Sequence, residues 1–324
     1  MSLTLLETEV AIKAIKDGFE KELAKQLKLT RVSAPLFVHP ETGLNDTLNG
    51  VERPVAFAAN GIDGELEIVQ SLAKWKRNAL ARYGFSAGTG LYTDMNAIRR
   101  DETADALHSY YVDQWDWEKI IEPKQRNYTY LKTVVRAVYS AIKRIAAQVT
   151  KQYPSLTFDL PKEITFVSTK ELEKTYPALS PRERENAFVK TYRAVFVYQI
   201  GWPLSDKKPH DGRAADYDDW KLNGDILLWH EPLDCTLEIS SMGIRVNADS
   251  LVKQLKYKKE LDKLENPYCK DVLEGRLPLT VGGGIGQSRL CMFFLKKRHI
   301  GEVQASVWSE AEEAAAKKEG ITLL

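Results

Sequence analysis

The sequence predicts an α+β fold, an antiparallel β-sheet core flanked by helices. Three observations carry this. Strand-like segments come in adjacent pairs instead of alternating regularly with helices. Two long segments have clear helical periodicity. No internal repeat, low-complexity stretch or linker divides the chain, so residues 1–324 are expected to form one domain.

The first helix rests on Ile12, Ile15, Phe19, Leu23 and Leu27, spaced at helical intervals with charges between them, and it ends before Thr30. Residues 29–37 read as extended, because Pro35 is incompatible with a helix interior. The polar, Gly-containing stretch 40–50 reads as a loop, followed by short strands near Val55 and at 67–69. Residues 74–83 read as a helix. Two β-like runs, 88–98 and 108–121, flank the charged stretch 99–105 and predict an antiparallel hairpin. In the second run, Asp113, Trp115 and Trp117 share one face, while Val112, Gln114, Asp116 and Glu118 share the other.

Residues 128–149 form the clearest helix, with Leu131, Val135, Val138, Ile142, Ile145 and Val149 in one stripe. A strand at 164–167, helices at 170–176 and 181–191, and an apolar strand at 194–200 follow. The Asp-rich stretch 205–221 reads as a long loop of the kind that serves binding sites. Residues 225–229 and 235–246 read as a strand pair, and 250–259 and 267–275 as helices. A Gly-rich turn, Gly282 to Gly286, then opens a helix over 287–297.

The net charge is +1, so nothing demands a nucleic-acid partner. The three cysteines are odd in number and far apart, which argues against a disulfide framework and suits a reducing compartment. No apolar run is long enough for a membrane span or a secretory leader, and the expected location is cytoplasmic, with no membrane partner. The five histidines show no metal-ligand spacing. There is no Walker A motif, no nucleophile elbow, and no Rossmann unit around the glycines.

Four constellations can carry chemistry. Gly282, Gly284 and Gly286 allow close approach to a flat or phosphorylated ligand, with Arg289 in the helix behind them; alone, they would read as a flexible turn. Arg99, at a strand end, can clamp a phosphate. Asp225 and Glu238 lie on strands that can pair, and two hard oxygen ligands suit Mg²⁺ shared with phosphates. Asp46, Lys76, Gln114 and Asp116 are polar groups that an amino-acid ligand would satisfy.

In order along the chain, three of these segments resemble the signature motifs of the class II aminoacyl-tRNA synthetase core. The first is the opening helix ending in Arg31-Val32-Ser33-Ala34-Pro35. The second is the hairpin with Arg99 and Glu102 in its loop. The third is Gly282-x-Gly284-x-Gly286-x-x-Arg289. Nearly the whole chain resembles, more closely, the ammonia-dependent aspartate–ammonia ligases. The most specific strings are residues 71–77, 111–118 and 216–220, together with the Glu238 and Gly282 segments. The sequence departs from that family's pattern at Arg100, where a proline is expected.

The resemblance implies a synthetase-like core, a homodimer formed through the first motif, ATP as co-substrate and Mg²⁺ as cofactor. It implies that Arg99 binds the α-phosphate, that Arg289 stacks on adenine, and that Asp225 and Glu238 hold the metal. Lys76, Asp116, Gln114, Ser240, Ser241 and Arg245 would surround L-aspartate. Asp46 and either Asp218 or Asp219 would lie near the amino acid or the ammonia. The expected reaction forms β-aspartyl-AMP and passes the acyl group to ammonia. Free ammonia is the simpler donor: position 2 is Ser2, and all three cysteines lie in the last third of the chain, which leaves no N-terminal thiol to hydrolyse glutamine.

Overall fold

The structure is a computed structural model and describes residues 3–46, 48 and 52–324. Its elements, in chain order, are α1 (Leu5–Leu27), β1 (Leu29–Arg31), β2 (Phe37–Val38), β3 (Ala56–Phe57), β4 (Leu66–Ile68), α2 (Ala73–Arg82), β5 (Gly90–Ile98), β6 (Tyr111–Ile120) and α3 (Tyr128–Gln152). There follow β7 (Thr165–Ser168), α4 (Thr169–Thr175), α5 (Pro181–Tyr192), β8 (Ala194–Tyr198), β9 (Asp218–His230), β10 (Cys235–Arg245), α6 (Ala248–Lys258), α7 (Pro267–Leu273), β11 (Thr280–Gly286), α8 (Gln287–Phe294) and α9 (Glu310–Lys318).

The main sheet has eight strands in the order β1-β5-β6-β11-β10-β9-β8-β7, and β2, β4 and β3 form a small second sheet. The expectation of an antiparallel sheet holds for the six central strands and fails at both edges. β1 runs parallel to β5, and β7 runs parallel to β8. The reason lies in the connections. A tight turn can only reverse a strand, whereas β7 reaches β8 through α4 and α5, and such a crossover returns the chain in the same direction. The sheet is therefore mixed.

α1 begins with a capping box between Thr4 and Glu7, and α3 begins with Asn127 accepting from the N–H of Tyr130 at 2.9 Å. The stripes that predicted these helices are what they bury. Phe19 and Leu23 of α1 share one core with Leu131, Val135 and Ile142 of α3 and with Trp115 and Trp117 of β6. The Phe19 and Trp115 rings lie 4.9 Å apart. Burying each such large side chain stabilises the fold by ~1.5–3 kcal/mol. Alternation along β6 does the rest: with both tryptophans committed to the helical side, Gln114, Asp116 and Glu118 face the other way.

Three expectations are corrected here. Gly282 to Gly286 is not a turn but the body of β11, hydrogen-bonded between β6 and β10. Glycine is a weak strand former, yet a side chain would not fit at these positions. A Cβ on Gly282 would run into the carboxylate of Glu118, one on Gly283 would sit 2.6 Å from Cβ of Met242, and one on Gly284 would overlap Oε1 of Gln114. The loop expected over 205–221 ends earlier, because β9 starts at Asp218. The helix expected over 287–297 is the shorter α8. The C-terminal α9 was not anticipated.

Candidate active site

β6, β11 and β10 floor a cleft of about 940 Å³ that opens to solvent. α2, Asp46, Leu48 and the turn between β5 and β6 form its walls.

One end is built from buried ion pairs. Lys76 of α2 is ion-paired to Asp116 of β6 and donates to the carbonyl of Gly283 at 3.0 Å. Burial pulls the Lys76 pKa down against the opposing pull of Asp116. Oδ2 of Asp116 is buried without a partner among the described residues. Arg245, at the end of β10, donates from Nε and Nη2 to Glu118 and from Nη1 to Asp218 at 2.5 Å. Burial raises the Asp218 carboxyl, and Arg245 partly offsets the rise. Ser240 Oγ is also buried without a partner among the described residues, but Ser240 pairs with Ile226 and Ile285 and so turns its side chain to the helical core. A buried polar atom left unsatisfied is costly, so the free Asp116 oxygen marks where a polar ligand would supply the missing bond.

Beside this end lies Asp46. Its Oδ1 accepts from the N–H of Leu48 at 2.9 Å, and its Oδ2 is buried without a partner among the described residues. Burial raises its pKa to about 6, with Lys74 partly opposing and Asp216 adding repulsion. Lys74 in turn is ion-paired to Asp216 at 3.0 Å. Burial disfavours the Lys74 charge, but the two carboxylates outweigh it and hold its pKa up.

The other end carries the groups suited to a nucleotide. Arg99 follows β5 at the lip of the cleft; its Nε is buried without a partner, and it makes no ion pair among the described residues. Arg289 of α8 donates to the carbonyl of Glu238 at 3.2 Å, and its guanidinium lies 4.0 Å from that residue's carboxylate. At the start of this helix the Ser288 N–H donates to Asp113 at 3.0 Å.

Asp225 and Glu238 converge because of a β-bulge. Leu227 pairs with Glu238 and Ile226 with Ser240, which leaves Ile239 as the extra residue. The bulge reverses the alternation and puts Glu238 on the same face as Ser241 and its partner Asp225. Asp225 is ion-paired to Arg213 through Oδ2, while its Oδ1 is buried without a partner among the described residues. Burial, followed by the charges of Glu238 and Asp211, raises the Asp225 pKa to about 8 in spite of Arg213. Two hard oxygen donors, one of them with a free atom, fit a Mg²⁺ ion that takes its other ligands from phosphate. Among the described residues no group of three or more His, Cys, Asp or Glu forms a cage by itself.

Of the residues singled out in the sequence, Asp46, Lys76, Arg99, Gln114, Asp116, Asp218, Glu238, Ser240, Ser241, Arg245, Gly284, Gly286 and Arg289 line this one cleft. Asp225 lines an adjoining cavity that shares Glu238 and Arg289 with it. Two do not reach the cleft. Asp219 follows Asp218 along a strand, so it faces the opposite side, where Arg126 pairs with it at 2.5 Å. Gly282 lies beneath the Glu118 carboxylate. Sequence reasoning missed the roles of Lys74, Asp216, Glu118 and Arg213. The Asp-rich string around Asp216 and the polar face holding Glu118 were their only visible signals.

The family model for aspartate–ammonia ligase matches residues 6–320. Curated relatives named aspartate–ammonia ligase include one from Ruminiclostridium cellulolyticum, 58% identical over all of this chain and 96% of its own. One from Fusobacterium nucleatum is 57% identical over all of this chain and 98% of its own. Among solved structures, the chain is similar to asparaginyl-tRNA synthetase from Pyrococcus horikoshii complexed with asparaginyl-adenylate, with a TM-score of 0.67 and 14% identity over 93% of this chain. The Entamoeba histolytica asparaginyl-tRNA synthetase gives a TM-score of 0.64 at 15% identity. This chain spans 66–70% of those two synthetases, which share its fold. No described helix is long and apolar enough to cross a membrane. With a cleft of this composition and relatives of this identity along its whole length, the chain belongs to the aspartate–ammonia ligase family.

Proposed function

We propose that this chain makes asparagine from L-aspartate, ammonia and ATP through β-aspartyl-AMP, releasing AMP and pyrophosphate. One observation carries the reading: Arg99, Arg289 and Glu238 line the same cleft as Lys76, Asp116 and Arg245. A nucleotide at the first set and an amino acid at the second would bring the α-phosphorus against the side-chain carboxylate.

The α-carboxylate of aspartate would sit between Lys76 and Arg245, and its ammonium would sit against Asp116 and Asp218. That leaves the β-carboxylate facing Arg99, with Gln114 positioning it. A β-carboxylate oxygen attacks the α-phosphorus, an O–P bond forms, and pyrophosphate leaves with the electron pair of the broken bond. Arg99 holds the α-phosphate oxygens as their charge develops, and Arg289 supports the adenine. Mg²⁺, bound by Asp225 and Glu238 with the phosphates, would supply charge neutralisation there.

In the second half, ammonium docks on the unpartnered Oδ2 of Asp46 and gives it a proton. A carboxylate with a pKa near 6 is ionised at neutral pH yet more basic than an ordinary one. The freed nitrogen lone pair attacks the acyl carbon, a C–N bond forms, AMP departs with the carbon–oxygen bond's electrons, and the acylated nitrogen sheds its third proton to solvent.

The test is AMP release from ATP, Mg²⁺ and aspartate with either ammonium or glutamine as donor. AMP and asparagine are expected with ammonium. Production of ADP, or equal use of glutamine, would contradict the reading.

A further inference from the structure

Arg213 has no role in the reaction as set out, yet it stands at its centre. It comes from the segment between β8 and β9. Its guanidinium is largely buried and forms ion pairs with Asp211 and Asp225, the second of these being one of the two proposed metal ligands. Its Nη1 also donates to the carbonyl of Gly212 at 2.8 Å. Asp225 is 4% exposed and only half satisfied, since Oδ1 has no partner among the described residues. A guanidinium on Oδ2 and a divalent cation on the free Oδ1 would repel each other across this one carboxylate, so each weakens the other's hold.

A destination for the displaced guanidinium is visible. Arg213 lines a second cavity of about 850 Å³ together with Arg99, Glu102, Tyr217, Glu238 and Ser241, all but Arg213 being shared with the main cleft. Two arginines line this one cavity, one of them without an ion-pair partner among the described residues, and the pair suits a diphosphate.

We infer that Arg213 is an exchangeable counter-ion, which occupies Asp225 until the metal–nucleotide arrives and then turns to hold the two outer phosphates that leave as pyrophosphate. This rests on the adenylation reading of the site. It gives the enzyme a reason to refuse the bare metal: a divalent cation without phosphates must displace Arg213 and offers it no new partner. The same exchange gives the pyrophosphate a cation that can return to Asp225 as product leaves.

The test uses the full chain carrying Arg213→Gln, with Arg213→Lys as a second variant that keeps the charge. Mn²⁺ alone is titrated into nucleotide-free protein and its free signal read by electron paramagnetic resonance. Inorganic pyrophosphate is titrated at saturating Mg²⁺ by calorimetry. In Arg213→Gln, Mn²⁺ binding should tighten by about tenfold or more, because the competing occupant is gone. Pyrophosphate binding should weaken by about tenfold or more, with the charged fork lost. Arg213→Lys should leave Mn²⁺ binding weak and still reduce pyrophosphate affinity. An ion pair that only pins the loop moves the two ligands together or not at all. Unchanged or weaker Mn²⁺ binding in Arg213→Gln overturns the proposal, as does unchanged pyrophosphate affinity in either variant. If Arg213→Gln does not fold, the pyrophosphate affinity of Arg213→Lys decides it. Wild-type AMP production is assayed separately, so failure of the adenylation reading is recognised on its own.

Discussion

At the residue scale, two side chains divide the proposed reaction between them, and substituting each should stop a different half. Arg99 is proposed to hold the α-phosphate, so Arg99→Ala should lower aspartate-dependent pyrophosphate exchange by ~10²–10³-fold, the scale of losing one transition-state donor. Asp46→Asn should leave that exchange nearly intact and slow only asparagine formation. The two assays, run on both variants, form one experiment; matching losses in the two variants would show that the roles are not separable. The pKa of Asp46 adds a sign. Its carboxyl titrates near 6, and only the ionised form accepts a proton from ammonium. The ammonia step in the wild type should therefore fall as pH drops through about 6, after correction for free ammonia, and Asp46→Asn should lack that limb. The pairing of Lys74 with Asp216 was not legible in the sequence, because the two lie 142 residues apart and meet only through the fold.

At the element scale, β11 shows why a glycine run was misread and what it does. Its glycines are not there for turning. They open room for Glu118 and Gln114 to lie across the sheet, and Glu118 orients Arg245. A methyl at Gly282 would strike the Glu118 carboxylate and approach Nη2 of Arg245 at 2.7 Å. Gly282→Ala should thus destabilise the fold by ~1–3 kcal/mol, as overpacking does, and raise the KM for aspartate more than that for ATP. Thermal melts and steady-state kinetics would check this; a variant normal in both would mean the network can shift aside. The hairpin of β5 and β6 was legible for the opposite reason. Its period-two pattern is strong, and Trp115 and Trp117 fix which face is core. The bulge at Ile239 left no such trace. Register is a property of two strands together, so one strand's residues could suggest that Glu238 meets Asp225 without revealing the offset that brings them together. Likewise Asp218 and Asp219 were indistinguishable while the segment read as loop; the start of β9 separates them.

At the scale of the whole molecule, five of the six central antiparallel strands and the two long helices were readable in the sequence, because each has a local signal, whereas β11 read as a turn. The parallel edges and the small second sheet did not announce themselves, being set by long connections. One surface remains to be explained. Leu5, Leu6 and Val10 at the start of α1 are exposed, Leu6 to 74%. Clustered exposed apolar side chains suit an interface, and we propose that α1 helps form a homodimer. Light scattering should give twice the chain mass of 36.7 kDa, and Leu6→Glu with Val10→Glu should give a monomer. A wild-type monomer at micromolar concentration would contradict this.

The proposed chemistry turns on which bond to phosphorus forms first. Aspartate carrying ¹⁸O in its β-carboxylate, turned over with ATP, Mg²⁺ and ammonium, would report it by mass spectrometry of the products. Adenylation of the side chain predicts one ¹⁸O in the phosphate of AMP and none in pyrophosphate. Label retained wholly in asparagine and water, or found in inorganic phosphate beside ADP, would contradict it.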